Sequence, residues 1–420
     1  TFQVKLFKDF TQGHIKRLVD HDPEGAVSFE DGIIRITQRE DLNIAFSGTD
    51  AAGAPLGRLR VLAADREIFL GADTAARIAQ VHGSGEVQIR IDGAMTDASG
   101  YDPAAPDGDQ VAVRGTVLVL ESGANASIGT ADRPLSLQVL PGGSLNARAG
   151  VIGSQNVFVT AFGDLPIEAL FAGNIASVHA TGAITDNVGS DLPRIVAGNI
   201  HLSAASIGEV GNLLGIELTD EEDGRITIET VADAGHDGDV HLDVVSEANL
   251  AHARIAGGGL ILARKGMALF GADTLEFGAD ALLRIDTARG IDAAHATGTA
   301  ITGHRLRIDS AGMVGRRDAR LVSDLDLFDY YGRGDAATAL WMQDMASLTI
   351  GEVLQNAHAL SETDVVALGD LTLGRAQSLS RSRFAAGGDI TRATVIAEET
   401  EFLAGGSLGS EARLEAVTAL

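Results

Sequence analysis

Apolar and polar residues alternate along most of this chain in runs of four to ten. Examples are Phe2–Leu6 (FQVKL), Ile33–Thr37 (IIRIT), Glu86–Ile91 (EVQIRI), Val111–Leu120 (VAVRGTVLVL), Val157–Thr160 (VFVT), Arg225–Glu229 (RITIE) and Val240–Val244 (VHLDV). A period of two sends successive side chains to opposite faces of a strand, so each run predicts a strand with one buried and one wet face. Helical spacing is scarce. Asp73–Gln80 (DTAARIAQ), with Asp73 as N-cap, predicts a short helix, and Ala336–Ser347 around Trp341 a turn or two. The chain reads as overwhelmingly β.

Repetition selects among all-β architectures. An apolar residue followed by glycine recurs at Ile128-Gly129, Ile152-Gly153, Val188-Gly189, Ile207-Gly208, Val314-Gly315 and Leu408-Gly409. The offsets suggest a coil of about 20 residues, enough for three strands of 4–5 residues plus turns. A second phrase, Gly-Gly or Gly-Asn before an alternating run, recurs in Pro141–Leu145, Ala197–Leu202, Gly257–Leu262, Ala386–Ile390 and Ala404–Leu408. Glycine there would permit positive φ at a corner. These repeats predict a parallel β-solenoid stabilised by stacking each coil on its neighbours. About 21 coils at about 4.8 Å per step would make a rod of roughly 100 Å.

Composition sharpens this picture. The chain is 45% hydrophobic but only 4% aromatic, so its core must be aliphatic. Its 51 glycines against 8 prolines indicate many tight turns rather than flexible linkers. A net charge of −26 opposes binding to nucleic acid and to anionic membrane surfaces. There is no cysteine, which removes disulfides, thiolate metal sites and cysteine catalysis. No apolar run approaches the roughly 18 residues of a membrane span, so no membrane insertion is expected. Both ends read as cut from something longer.

The segments SIGTADRPLSLQVLPGGSLNARAG, NVGSDLPRIVAGNIHLSAASIGEVGNLLGIEL and AGGDITRATVIAEETEFLAGGSLGSEARLEAV resemble the repeats of filamentous-haemagglutinin-like bacterial exoproteins. The shared feature is Ile-Gly, a short spacer, Pro-Leu or a variant, then a strand and a glycine-rich turn. The resemblance spans residues 111–420 and implies a right-handed parallel β-helix in a secreted bacterial surface protein that mediates adhesion. Residues 1–110 match poorly and read as an irregular β region or the start of the helix. No secretion domain of that family is recognisable.

Three segments stand out chemically. In a strand, Asp237, Asp239, His241 and Asp243 would share one face, and such oxygen ligands would suit calcium, with Asp223 and Asp233 nearby. The competing reading is a solvated outer face, with Val240 and Leu242 pointing inward. Asp97–Asp109 holds Asp97, Asp102, Asp107 and Asp109 and reads as an exposed loop without EF-hand spacing. Residues 324–345 read as a loop excursion presenting Tyr330, Tyr331, Arg333, Asp335 and Trp341 to a protein or glycan on a host or neighbouring cell; the alternative is an aromatic plug over a local patch. No catalytic constellation is visible, and no cofactor is called for apart from the calcium reading. The sequence therefore points to a structural, adhesive segment acting as a stalk or filament at the bacterial cell surface. The alternatives are a polysaccharide-processing β-helix enzyme and a sheath subunit that associates head to tail.

Overall fold

A computed structural model describes residues 67–409 with their side chains, apart from 72–74, 151–152, 188, 190–191, 357, 359–360, 379 and 392–393. Outside that span it describes the strands Phe2–Leu6, Val27–Glu30, Ile33–Gln38, Leu42–Phe46, Arg58–Ala63 and Arg413–Ala416. The fold is the all-β, right-handed parallel β-helix that the repeats imply. The chain divides into two compact units, 1–205 and 206–420.

In the first unit, parallel pairing begins well before residue 111. Arg58–Ala63 stacks on Ala76–Gly83, and Ile68–Ala72 on Glu86–Ile91. The antiparallel hairpin of Val27–Glu30 and Ile33–Gln38 is an exception. Leu135, Val159, Val178 and Leu202 form one inward column over four coils, each at most 1% exposed. In the second unit the column Ile261, Ile285, Ile308, Tyr330, Val353, Ala376 and Val395 runs through seven coils. Beside it stand Leu283, Leu306, Phe328, Ile350 and Leu373. Branched aliphatic side chains suit this stacking because their few rotamers match the pleated surface and bury apolar area against the coil above.

Coil length varies more than the sequence suggests. Val157 pairs with Ala176, 19 residues on, and Ala176 with Ile200, 24 residues on. Loops lengthen other coils: Val87 pairs with Leu118, and Ile207 with Val240. The chain accordingly makes about 14 turns instead of about 21. Both helical expectations fail. Strand Ala76–Gly83 lies where the helix at 73–80 was expected, and strand Ala339–Asp344 occupies the Trp341 segment.

Candidate functional site

Two recurring corner structures shape the surface. In the first, glycine precedes an inward leucine or isoleucine by six residues: Gly129 and Leu135, Gly189 and Ile195, Gly208 and Leu214, Gly315 and Leu321. The four glycines have φ of 67°, 60°, 67° and 66°, a left-handed conformation that other residues adopt only with strain. In three of the boxes the intervening residues close a small reciprocal turn, between Thr130 and Arg133, Glu209 and Asn212, and Arg316 and Ala319. The sixth apolar–glycine pair of the sequence, Leu408-Gly409, lacks that conformation.

The second corner is a polar ladder. Ser347 Oγ accepts from the Asp370 N–H at 2.9 Å, Asp370 Oδ1 from the Asp389 N–H at 2.8 Å, and Asp389 Oδ1 from the Ser407 N–H at 2.6 Å. Each side chain thus satisfies a backbone donor of the following coil. The glycine pairs of Ala386–Ile390 and Ala404–Leu408 sit here, and Gly387, Gly388, Gly405 and Gly406 do not have positive φ, whereas Gly142 and Gly259 of the same phrase do. They are needed for space: a Cβ on Gly388 would strike Asp370 Oδ1, and one on Gly406 would strike Asp389 Oδ1.

One of the predicted metal ligands makes a bond of the same kind. Asp239 Oδ1 accepts from the Gly258 N–H at 2.8 Å. Asp243 is buried and held by Arg264 at 2.5 Å. His241 is half-buried in strand Val240–Val244, 3.9 Å from Asp239; burial pushes its imidazole below the ordinary range against the pull of that carboxylate. Asp237 lies in the exposed turn before the strand, and Asp233 pairs with His236 at 2.9 Å. Val240 and Leu242 face inward. Among the described residues no three His, Asp or Glu side chains gather closely enough to hold a metal ion.

The expected loop at 324–345 is instead a strand, Leu321–Gly332, a short turn, and the strand Ala339–Asp344. Tyr330 is fully buried in the core column, and that burial pushes its hydroxyl up. Tyr331 donates to Glu352 at 2.6 Å beneath the Arg307 guanidinium, 4.2 Å from the ring centre. The hydrogen bond to Glu352, with burial and nearby acids, pushes the Tyr331 hydroxyl up to about 12. Arg333 pairs with Asp286, and Asp335 is exposed. Trp341 lines a small cavity of about 210 Å³ with Arg317, Asp364, Arg381 and Arg383. Those arginines are spent on carboxylates: Arg317 on Glu362, Arg383 on Asp364 and Arg381 on Glu401. Of the five, Arg333 and Asp335 are exposed, Tyr331 and Trp341 are half-buried, and Tyr330 lies in the core.

A further groove lies in the first unit. It encloses about 750 Å³ between the 98–112 loop and the corner at Asp132–Pro134. Its floor lies on an in-register polar column: Ser136 pairs with Thr160, Thr160 with His179, and His179 with Ser203. Asp97 braces one end, accepting from the backbone and hydroxyl of both Ser99 and Ser136. Those four bonds commit both of its oxygens to structure. Asp102 and Asp107 likewise accept from their own loop, at Ala104 and Asp109. His179 Nδ1 lies 3.2 Å from Ser203 Oγ.

No family model, curated protein or solved structure matches this chain. What the groove can do therefore rests on its own groups. Arg77 and Arg133 are exposed at it and form no ion pair with any described residue. Thr160, only 5% exposed, has a hydroxyl with no hydrogen-bond partner among the described residues, as does Tyr101. Burial, then the charge of Asp102, pushes the Tyr101 hydroxyl up, so it stays a donor. Among the described residues the groove thus offers two guanidinium groups without an ion pair and two hydroxyls without a hydrogen-bond partner, beside the exposed Asp132. Sequence reasoning missed Arg77, Tyr101, Arg133, Thr160 and His179. One signal was readable: the four variable residues of the corner box are TADR here but EVGN and RRDA elsewhere.

Proposed function

We propose that this chain is a structural and adhesive segment of a secreted bacterial surface protein, a stiff scaffold that carries binding faces. The observation behind this reading is the repeated corner box. Four left-handed glycines, each six residues before a buried leucine or isoleucine, rebuild the same turn, while the residues between them differ from box to box. Such a division suits a protein whose frame is constant and whose surface is adapted. The resemblance to filamentous-haemagglutinin-like repeats agrees with it.

The test is to display the chain on a non-adherent bacterium and count attached cells on epithelial or bacterial lawns. Attachment should rise several-fold and vanish when the chain is replaced by a flexible Gly/Ser linker of equal residue count. Attachment unchanged by that replacement overturns the reading. A second reading, polysaccharide processing, is favoured by one observation: Tyr101, His179 and two arginines line a groove on a β-helix. It requires a fall in the viscosity of an acidic polysaccharide on incubation with the purified chain.

A further inference from the structure

Three surfaces compete as ligand sites. The shallow groove of the second unit, about 580 Å³, is lined by Arg254, Glu276, His304 and Asp326. Its basic groups are answered in pairs, Arg254 with Glu276 at 3.1 Å and His304 with Asp326 at 2.8 Å, and its remaining charged group, Asp324, is acidic. The Trp341 cavity has its arginines engaged in the same way. The groove of the first unit differs, because charge and hydrogen-bonding capacity are both left over there.

We infer that the groove between Tyr101, Arg133 and Thr160 binds a carboxylate-bearing saccharide. Four observations converge on that class. The volume lies within the roughly 300–1,000 Å³ of small-molecule sites, which suits a short oligosaccharide. Arg77 and Arg133 form no ion pair among the described residues of a chain with 26 excess negative charges, although acidic partners are abundant. A guanidinium presents a planar fork that matches a carboxylate with two parallel hydrogen bonds. Tyr101 Oη and Thr160 Oγ1 are buried without partners, and a buried hydroxyl left unanswered is costly unless a ligand answers it. A polyol supplies the matching donors and acceptors. The apolar contribution is modest, with Tyr101, Pro103 and Pro134 in the lining, as suits the apolar face of a sugar ring. Nucleic acid is disfavoured by the field of the whole chain. The inference rests on reading the chain as a carrier of binding faces, but its test uses purified protein and is read separately from attachment.

The experiment is calorimetric titration of the purified chain at low salt with three probes: a glucuronate-containing tetrasaccharide, the same oligosaccharide with its carboxyls reduced to alcohols, and inorganic phosphate. The acidic tetrasaccharide is expected to bind saturably at one site, at least tenfold tighter than either control. Arg77→Gln and Arg133→Gln should each weaken it about tenfold, the scale of one lost charge-assisted hydrogen bond. Both residues are exposed, so these variants should keep the melting temperature of the parent. Thr160→Val supplies an independent readout. It removes an unanswered buried hydroxyl at nearly constant shape, so stability should hold or rise while affinity falls. A Thr160→Val protein that binds normally, equal binding of the reduced oligosaccharide, phosphate binding as tight as the tetrasaccharide, or no binding at all would each overturn the inference.

Discussion

At the scale of single residues, this solenoid uses glycine for two different reasons. Gly129, Gly208 and Gly315 are needed for their backbone conformation. Gly388 and Gly406 are needed because a carboxylate of the preceding coil fills the place of a Cβ. The distinction makes a double-mutant prediction. Gly388→Ala should destabilise by about 1–3 kcal/mol through overpacking. Asp370→Ala should cost about 1 kcal/mol through the lost bond to the Asp389 N–H. The double variant should be less destabilised than the sum, because removing Asp370 vacates the space. Urea unfolding measures all three, and strict additivity would refute the steric account. Asp309 makes a second prediction. It is 3% exposed and bonded to Arg284 at 2.7 Å and Arg307 at 3.0 Å. Burial pushes its carboxyl up, but the bonds from Arg307 and Arg284 outweigh that and hold it below the ordinary range. The unfolded chain therefore takes up this proton more readily. The stabilisation is complete above about pH 5 and is lost as pH falls through the ordinary value near 4 toward the depressed one. Asp309→Asn should lower stability at pH 7 and flatten its fall between about pH 5 and pH 2. Melting curves across that range decide it, and parallel profiles for parent and variant would refute it.

At the scale of elements, the corner box carries the fold. Leu214 is fully buried, so Leu214→Ala should cost about 2–5 kcal/mol, whereas Val210→Ser, at a residue 85% exposed in the same box, should be near neutral. Equal effects in a denaturant titration would contradict the division between frame and surface. This division was largely legible in the sequence. The alternating runs at Glu86–Ile91 and Val240–Val244 are strands with the inward residues expected. The misreadings have physical causes. In Ala76–Gly83 the register slips between Leu59–Ile78 and Arg60–Gln80, a bulge that puts Ile78 and Val81 both inward. That spacing of three imitates a helix. The 324–345 segment was read from its aromatics alone, but Tyr330 takes the place of an isoleucine in a stacked column, which only register reveals. The groove was illegible for a related reason. Arg77, Arg133 and His179 are brought together by coil lengths, and those lengths vary with loops that no local pattern predicts.

At the scale of the whole molecule, the balance of charge poses the last question. The chain carries 58 acidic against 32 basic side chains, so most arginines can be paired and a large acidic excess still remains. Added salt acts on both populations, in opposite directions. The pairs are short, such as Arg305 with Asp329 at 2.7 Å and Arg320 with Asp364 at 2.5 Å, and contacts this close and partly buried are screened weakly. The exposed pairs contribute about 0–1 kcal/mol each at most. Repulsion among the excess carboxylates acts over longer distances, where a Debye length falling from about 30 Å at 0.01 M to about 3 Å at 1 M removes most of it. Screening of the repulsion should therefore win, and the melting temperature should rise with sodium chloride. Calcium is the discriminating case. The carboxylates of Asp239 and Asp243 are already committed to Gly258 and Arg264, and no described cluster offers calcium a ready set of ligands. Calcium chloride at matched ionic strength should accordingly raise the melting temperature no more than magnesium chloride does. A saturable extra rise with calcium alone, lost in Asp237→Asn, would mean that the turn before Val240 rearranges to bind the ion and that the outer face is a calcium site after all.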